Sequence, residues 1–327
     1  MRECADAPSE SVRLAETAHP EGAGEQQVHT IDVMMPYYGD VGLMQHAVRS
    51  VLAQTDRNWR LTVVDDGREK GVPEWFAALG DDRVRYLRND QNLGVTGNFR
   101  KCVDLAEQDH MVMMGCDDVF LPNYVATIRE LLRRYPDAGM IQPGVQVIDG
   151  RGLPTKTLVD QTKRRVYAPK IEGSRRFAGE RLAVSLLRGN WLYFPSVCWR
   201  TKAVKAVNFR EDLHVIQDLA LVLDLLQGGE ELVAAEEICF QYRRHAVSES
   251  ALQAFDGRRF VEERGFFLDV ADRMDGHGWH EAAKVARKHL SSRLHALTMM
   301  PMMVRSGNRE GVRKLARHTF GSARHGR

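Results

Sequence analysis

From residue 31 to about residue 135, short apolar runs alternate with segments in which apolar residues recur at helical spacing. Short apolar runs bounded by turn residues are typical of buried strands, whereas apolar residues three and four positions apart are typical of helices. The predicted strands lie at 31–35, 61–64, 84–87 and 110–114. The predicted helices lie at 41–54, 97–107 and 122–135. This alternation predicts an α/β fold with a mostly parallel sheet and helices on both faces.

The rest of the chain is less regular. Residues 150–179 are basic, rich in turn residues and weakly patterned, which predicts a long loop or flap. We expect a helix at 180–188, a strand at 191–200, a helix at 217–227 and only helices beyond residue 250. The predicted organisation is a disordered leader at 1–29, a domain at 30–250 and a basic helical extension at 251–327.

Composition excludes several classes of protein. With a net charge of +2 and 43% hydrophobic residues, the chain is an ordinary globular protein with no general affinity for nucleic acid. The cysteines are Cys4, Cys102, Cys116, Cys198 and Cys239, and none forms a Cys-x-x-Cys pair. This pattern argues against a disulfide framework and a structural zinc site, and favours a reducing compartment. Because the first 30 residues are polar, we expect no signal peptide and a cytoplasmic location.

Acidic pairs follow two of the predicted strands, Asp65-Asp66 after the second and Asp117-Asp118 after the fourth. Open parallel sheets bind ligands outside the carboxyl ends of their strands. Two adjacent carboxylates favour a cation between them, and magnesium or manganese is often held by one or two carboxylates plus substrate phosphates. The alternative is that these residues only cap helices and build turns.

Five segments carry a resemblance to a known family. They are VMMPYY at 33–38, SVLAQT at 50–55, VVDDG at 63–67, NLGVTGNF at 92–99 and MGCDDVFLPNY at 114–124. In this order and spacing they resemble the opening of family 2 glycosyltransferases, which have the Rossmann-like GT-A fold. The resemblance implies an inverting transferase that uses a nucleotide-sugar donor and a divalent metal, Mn²⁺ or Mg²⁺. It also implies a nucleotide-binding half at 30–125 and an acceptor half at 180–250.

The resemblance implies a donor site at the strand ends. The residues assigned to it are Pro36, Tyr38, Asp65, Asp66, Gly94 and Asn98. Asp65, with its neighbour Asp66, would contact the base, because carboxylates accept hydrogen bonds from ring N–H groups. Pro36 and Tyr38 would line the base and ribose pocket. Asn98 is explained equally well as a residue at the start of a helix.

The family's Asp-x-Asp metal motif is altered here. Asp117 corresponds to its metal-binding end, with Asp118 as a second ligand or as a residue that orients the first. Many relatives have a further aspartate where this chain has Gly115. By the same resemblance, His245 would contact the metal or diphosphate, and Arg243 or its neighbour would contact the phosphates.

The acceptor half resembles the family in one helix. Asp218 stands where the family has the general base that takes the proton of the acceptor hydroxyl. The alternative is that Asp218 only caps that helix, and Glu211 and Asp212 are other candidates for the base. Trp191 lies in the segment that such enzymes place near the donor sugar, where its ring would stack on a sugar face.

From residue 282 to residue 327 the chain has eleven Lys and Arg residues and one acid, Glu310, with apolar residues around Pro301. Two interpretations remain open: contact with an anionic membrane surface, or a helical cap on the core. We expect no nucleic-acid partner, because the segment lacks exposed aromatic interleaving. The expected donor is a UDP- or dTDP-sugar, and the acceptor a saccharide, a lipid-linked saccharide or a small molecule.

Two other functions remain open. A nucleotidyltransferase or similar enzyme would carry a basic, glycine-rich loop after the first strand, but the segment PYYGD at 36–40 has no Lys or Arg. The absence of Gly-x-Gly-x-x-Gly there likewise disfavours a dinucleotide-dependent oxidoreductase. A non-catalytic GT-A-like binding or scaffold subunit remains open because of Gly115.

Overall fold

The computed structural model describes residues 29–244 and 258–321. The strands are β1 (Ile31–Tyr37), β2 (Trp59–Asp65), β3 (Val84–Arg88), β4 (His110–Met113), β5 (Val119–Phe120), β6 (Met140–Ile148), β7 (Ser174–Phe177), β8 (Cys198–Arg200) and β9 (Leu232–Arg243). The helices of the sheet domain are α1 (Val41–Leu52), α2 (Val72–Ala77), α3 (Gly94–Leu105), α4 (Tyr124–Arg134), α5 (Leu158–Thr162), α6 (Gly179–Arg188), α7 (Thr201–Val207) and α8 (Gln217–Gln227). The C-terminal helices are α9 (Arg258–Gly276), α10 (His280–Lys288), α11 (Leu290–Arg305) and α12 (Arg309–Phe320).

The described strands form one sheet in the order β3-β2-β1-β4-β8-β6-β9-β5, with β7 paired to β9. Its first half is parallel: Ile31 of β1 lies beside Trp59 of β2 and His110 of β4. Because β2 and β4 flank β1 in the same direction, their carboxyl ends meet at one edge, as predicted. The α/β class with a parallel sheet core is confirmed.

Helices cover both faces of this sheet, because successive side chains of a buried strand point to opposite sides. Val33 and Met35 of β1 pack with α1 and α4 on one face. Met34 packs on the other face with α3, α6, α8, α9 and α10. The Glu180 carboxylate accepts hydrogen bonds from the first N–H groups of α10, at 2.7 Å from Glu281 and 3.0 Å from Ala282. Helices α9 and α10 are therefore a cap on the core.

The second half of the sheet differs from the prediction. The segment 191–200 is a strand only over Cys198–Arg200, because Pro195 lies in the short 3₁₀ turn Phe194–Ser196 and has no N–H for a ladder. The predicted flap at 150–179 contains α5, a π turn and β7. Strands β6 and β9 were missed, since Pro143 and Gly144 interrupt one apolar pattern and two exposed glutamates interrupt the other.

Two further predictions concern residues that the structure does not describe. The leader predicted at 1–29 and the domain boundary at 250 lie outside the described residues, apart from residue 29. Within the part of the chain that is described, no helix is both long enough and apolar enough to cross a bilayer.

Gly144 allows the closest approach between β6 and β9. The register of the two strands shifts at this residue, and a Cβ atom there would lie 2.3 Å from the Glu236 carbonyl oxygen. Backbone atoms of a paired strand cannot move aside without loss of ladder hydrogen bonds, so overpacking here is costly.

We therefore expect Gly144→Ala to lower the free energy of unfolding by roughly 1–3 kcal/mol, measured by urea denaturation. Gly150→Ala is the matched control, because a Cβ atom at Gly150 meets nothing within 4 Å. Equal stability of the two variants would contradict the assigned close approach.

Candidate active site

The candidate site lies at the edge where the carboxyl ends of β1, β2 and β4 meet. Tyr38 follows β1 and is 67% exposed, whereas Pro36 before it is half-buried within the strand. The Cys116 Sγ lies 4.0 Å from the Tyr38 carbonyl oxygen. The backbone of Tyr38 thus borders the acidic loop after β4, residues 115–118, and contact of its exposed ring with a nucleotide stays a prediction.

Asp65 closes β2 with a fully buried carboxylate. Its Oδ1 accepts a hydrogen bond from the Gly67 N–H at 2.8 Å, and its Oδ2 accepts hydrogen bonds from the Tyr86 hydroxyl and from Arg88 Nε at 2.8 Å. A buried carboxylate is stable only with such partners. Asp65 therefore organises the turn after β2, and its contact with a nucleotide base stays a prediction.

Asp66 is also buried and acts within the chain. Its carboxylate accepts hydrogen bonds from Leu93 N at 2.8 Å and Gly94 N at 2.9 Å, the donors at the start of α3. Asn89 Nδ2 donates to the same carboxylate at 2.8 Å and to Asn98 Oδ1 at 3.1 Å. Asp66 therefore positions the start of α3, and the base contacts predicted for both aspartates stay predictions.

Asn98 and Gly94 complete this corner. Asn98 is buried, and its Nδ2 donates a hydrogen bond to the Val64 carbonyl oxygen at 3.0 Å. This bond connects α3 to β2. Gly94 has a φ of +69° and open space where a Cβ would stand. The left-handed backbone explains the glycine, and the open space leaves the start of α3 accessible.

Gly115 lets two carboxylates converge after β4. A Cβ atom at Gly115 would lie 2.5 Å from Asp118 Oδ2 and 3.0 Å from Asp117 Oδ1. Burial raises the pKa of Asp118 well above its ordinary value, and the negative charge of Asp117 raises it further. Two carboxylates brought to one point in this way suit a divalent cation. In the described chain no group of three or more His, Cys, Asp or Glu is arranged for a metal, and His245 lies outside the described residues.

Arg243 fixes the position of this acidic loop through its backbone and its side chain. Its backbone N–H donates to Asp118 Oδ1 at 2.9 Å, and its Nε donates to the Asp117 carbonyl at 2.7 Å. Its Nη1 donates to the carbonyl oxygens of Asp149 and Gly150 at 3.2 and 3.4 Å. We call this set of contacts the Arg243 clamp. The guanidinium is buried in these contacts, and its predicted phosphate contact stays a prediction.

Asp218 lies in the first turn of α8, where Asn190 Nδ2 donates to its Oδ2 at 3.0 Å. Burial raises the pKa of Tyr242 to about 12, with the negative charges of Asp118, Asp117 and Asp218 acting in the same direction and Arg244 opposing them. The charge of Asp218 therefore acts on the same phenol as the charges of the acidic loop.

The other candidates for the base lie in ion pairs. Glu211 pairs with Arg100 at 3.2 Å, and Asp212 pairs with Arg210 at 2.9 Å. Each of these two carboxylates is therefore held by a guanidinium, and the choice of Asp218 as the base stays a prediction.

Trp191 is the clearest correction. Its ring is 3% exposed, its Nε1 donates to Ser185 Oγ at 3.1 Å, and its edge meets Phe177. A ring without an exposed face cannot stack on a sugar. The residue that reaches the site from this segment is its neighbour Asn190. Asn190 and Tyr242 are not among the predicted site residues. The position of an amide or a phenol in the sequence does not indicate which distant residue it will contact.

Comparison with known proteins identifies relatives over much of the sequence. An uncharacterised protein of Mycobacterium tuberculosis is 25% identical over 240 residues, which are 72% of this chain and 73% of that protein. An uncharacterised glycosyltransferase of Methanocaldococcus jannaschii is 22% identical over 224 residues, 67% of this chain and 72% of that protein.

Solved structures share the fold. Residues 1–349 of S. aureus TarS in complex with UDP-GlcNAc match with a TM-score of 0.55 and 12% identity, over 89% of this chain and 90% of that one. GalNAc-T7 with UDP, GalNAc and Mn²⁺ matches with a TM-score of 0.50 and 13% identity, over 69% of this chain and 45% of that one. The predicted GT-A fold is confirmed by these neighbours.

The family itself is identified by a model described as glycosyl transferase family 2, which matches residues 32–199. The match spans β1 to β8 and includes the acidic loop and Asn190. Because it covers slightly more than half of the sequence, the chain belongs to glycosyl transferase family 2 and is a glycosyltransferase.

Proposed function

We propose that this glycosyltransferase moves a sugar from a UDP- or dTDP-sugar to an acceptor hydroxyl, with inversion at the anomeric carbon. The observation that carries the proposal is the convergence of Asp117 and Asp118 beside Gly115 at the ligand-binding edge of the sheet. The solved neighbours bound to UDP-GlcNAc, or to UDP with Mn²⁺, support the donor class and the metal.

Asp218 is the proposed base in this mechanism. An acceptor hydroxyl is a poor nucleophile until its proton is removed in the transition state, and a carboxylate at hydrogen-bond distance can accept that proton. Asn190 holds one Asp218 oxygen at 3.0 Å. Asn190 is therefore a positioning residue that orients the carboxylate toward the acceptor.

Asp117 and Asp118 would hold the divalent cation, Mn²⁺ or Mg²⁺. When bound, this cation supplies positive charge at the phosphates of the departing nucleoside diphosphate. Convergence of the two carboxylates beside Gly115 supports this role. Tyr38, Pro36 and the open start of α3 at Gly94 are the proposed contacts of the nucleotide.

The acceptor is a saccharide, a lipid-linked saccharide or a small molecule. The cytoplasmic location stays a prediction from the sequence.

The proposal is tested by nucleotide binding and by transfer. We expect UDP or dTDP with Mn²⁺ to raise the melting temperature, and we expect Asp218→Asn to keep this stabilisation while transfer falls about 10²–10⁴-fold. If no nucleotide stabilises the protein, the donor assignment fails. If Asp218→Asn transfers sugar at the original rate, the base is another residue.

Restoring the family's usual aspartate should not improve this enzyme. Gly115→Asp places a Cβ atom 2.5 Å from Asp118 Oδ2 and adds a third negative charge, so the carboxylates must separate. We expect Mn²⁺-dependent stabilisation by nucleotide and donor hydrolysis to fall about tenfold or more. Gly150→Ala is the control on an open loop. Higher activity of Gly115→Asp would contradict the assigned convergence.

The Asn190 contact predicts that a substitution of Asn190 changes kcat but not the KM of the donor. We expect Asn190→Ala to lower kcat about tenfold with little change in the KM of the donor, because only the orientation of the base is lost. Asn190→Asp places a like charge beside Asp218 and should move the acidic limb of the kcat–pH profile to higher pH. An unshifted profile would show that Asn190 has only a structural role.

A further inference from the structure

The helical hairpin of α11 and α12 has an apolar stripe on its surface. The exposed fractions on α11 are 61% for Leu290, 57% for Leu294, 45% for Leu297 and 59% for Val304. Steps of three, four and seven residues place them on one side of the helix, together with exposed Pro301. Isolated exposed aliphatic residues are ordinary, but a stripe over the whole of α11 indicates a contact surface.

The stripe is not needed to pack the hairpin, whose inner face is filled by other residues. The ring of Phe260 on α9 contacts His295 of α11 and His318 of α12, at centroid distances of 5.4 and 5.5 Å. Ser292 Oγ lies 2.7 Å from His318 Nε2. Side chains on the opposite sides of α11 and α12 therefore point away from the protein.

The exposed sides of both helices lie opposite the residues that contact Phe260 and each other. The helices run antiparallel, since Arg293 near the start of α11 donates to the Thr319 carbonyl near the end of α12 at 3.1 Å. By helical spacing, Arg309, Arg313 and Phe320 lie on the side of α12 opposite His318. All three are exposed, Phe320 by 74%. We call this surface, with the stripe of α11, the outer hairpin face.

The outer hairpin face lies on a strongly positive segment. Residues 290–320 contain six Lys and Arg residues and one acid, Glu310. Glu310 pairs with Lys314 at 2.9 Å, so it offsets a lysine of its own helix rather than the arginines. Excess positive charge opposes self-association of two identical faces and attracts an anionic surface.

We propose that the outer hairpin face docks on an anionic membrane surface. The aliphatic stripe and Phe320 would enter the boundary between headgroups and acyl chains, while Arg309 and Arg313 contact lipid phosphates. When this face is docked, α11 and α12 lie parallel to the membrane plane. The inference goes beyond sugar transfer and does not depend on the proposed base or metal.

The test is flotation of the full-length protein with vesicles of phosphatidylcholine alone and of equal parts phosphatidylcholine and phosphatidylglycerol. We expect binding to the anionic vesicles only. The double variant Leu294→Gln/Leu297→Gln should lower the partition coefficient about tenfold or more. Arg309→Gln/Arg313→Gln should lower it by a similar factor, and added salt should then weaken binding less than in the original protein.

Leu153→Gln is the matched control, because Leu153 is 59% exposed on the sheet domain, away from the hairpin. Unchanged melting temperature and donor hydrolysis show that each variant is folded. The proposal is overturned if the original protein binds neither vesicle, or binds both equally. It is also overturned if the leucine variant binds like the control, or if sedimentation shows a dimer that this variant converts to a monomer.

Discussion

The Arg243 clamp joins segments that the chain order keeps apart. Asp118 and Arg243 are separated by 125 positions, yet the backbone N–H of one meets the carboxylate of the other at the end of β9. The same guanidinium contacts the carbonyl oxygens of Asp117, Asp149 and Gly150. Because a buried guanidinium without partners is costly, the acidic loop, the end of β6 and the end of β9 keep one relative position. The candidate site depends on that position.

The acids at the strand ends divide into two groups by their partners. Asp65 and Asp66 are buried and accept hydrogen bonds from the turn after β2 and from the start of α3, so they fix the shape of this edge of the sheet. Asp117 and Asp118 instead converge beside Gly115, and their charges act with that of Asp218 on the phenol of Tyr242. Negative charge is thereby concentrated at one place, where a divalent cation and a transferred proton are the expected partners.

The C-terminal extension shows a similar division between inside and outside. Helices α9 and α10 pack on the sheet domain, and Glu180 caps the start of α10. Helices α11 and α12 bury their histidines toward Phe260 and leave leucines and arginines on the opposite side. The two interpretations of this segment, a cap and a membrane contact, therefore apply to different helices. The cap is observed, and the membrane contact is our proposal.

The α/β class, the acidic loop and the helix that begins at Gln217 could be predicted from the sequence, because they follow from local apolar periodicity and short motifs, and the same motifs carry the resemblance to the family. Strands β6 and β9 could not be predicted, since Gly144 and exposed glutamates break their apolar patterns. The burial of Trp191 and the contact of Asn190 with Asp218 are visible only in the folded chain. Likewise, hydrogen-bond donors far along the chain hold the Asp65 carboxylate in the interior of the protein. Such contacts join residues far apart in the chain, so no local pattern records them.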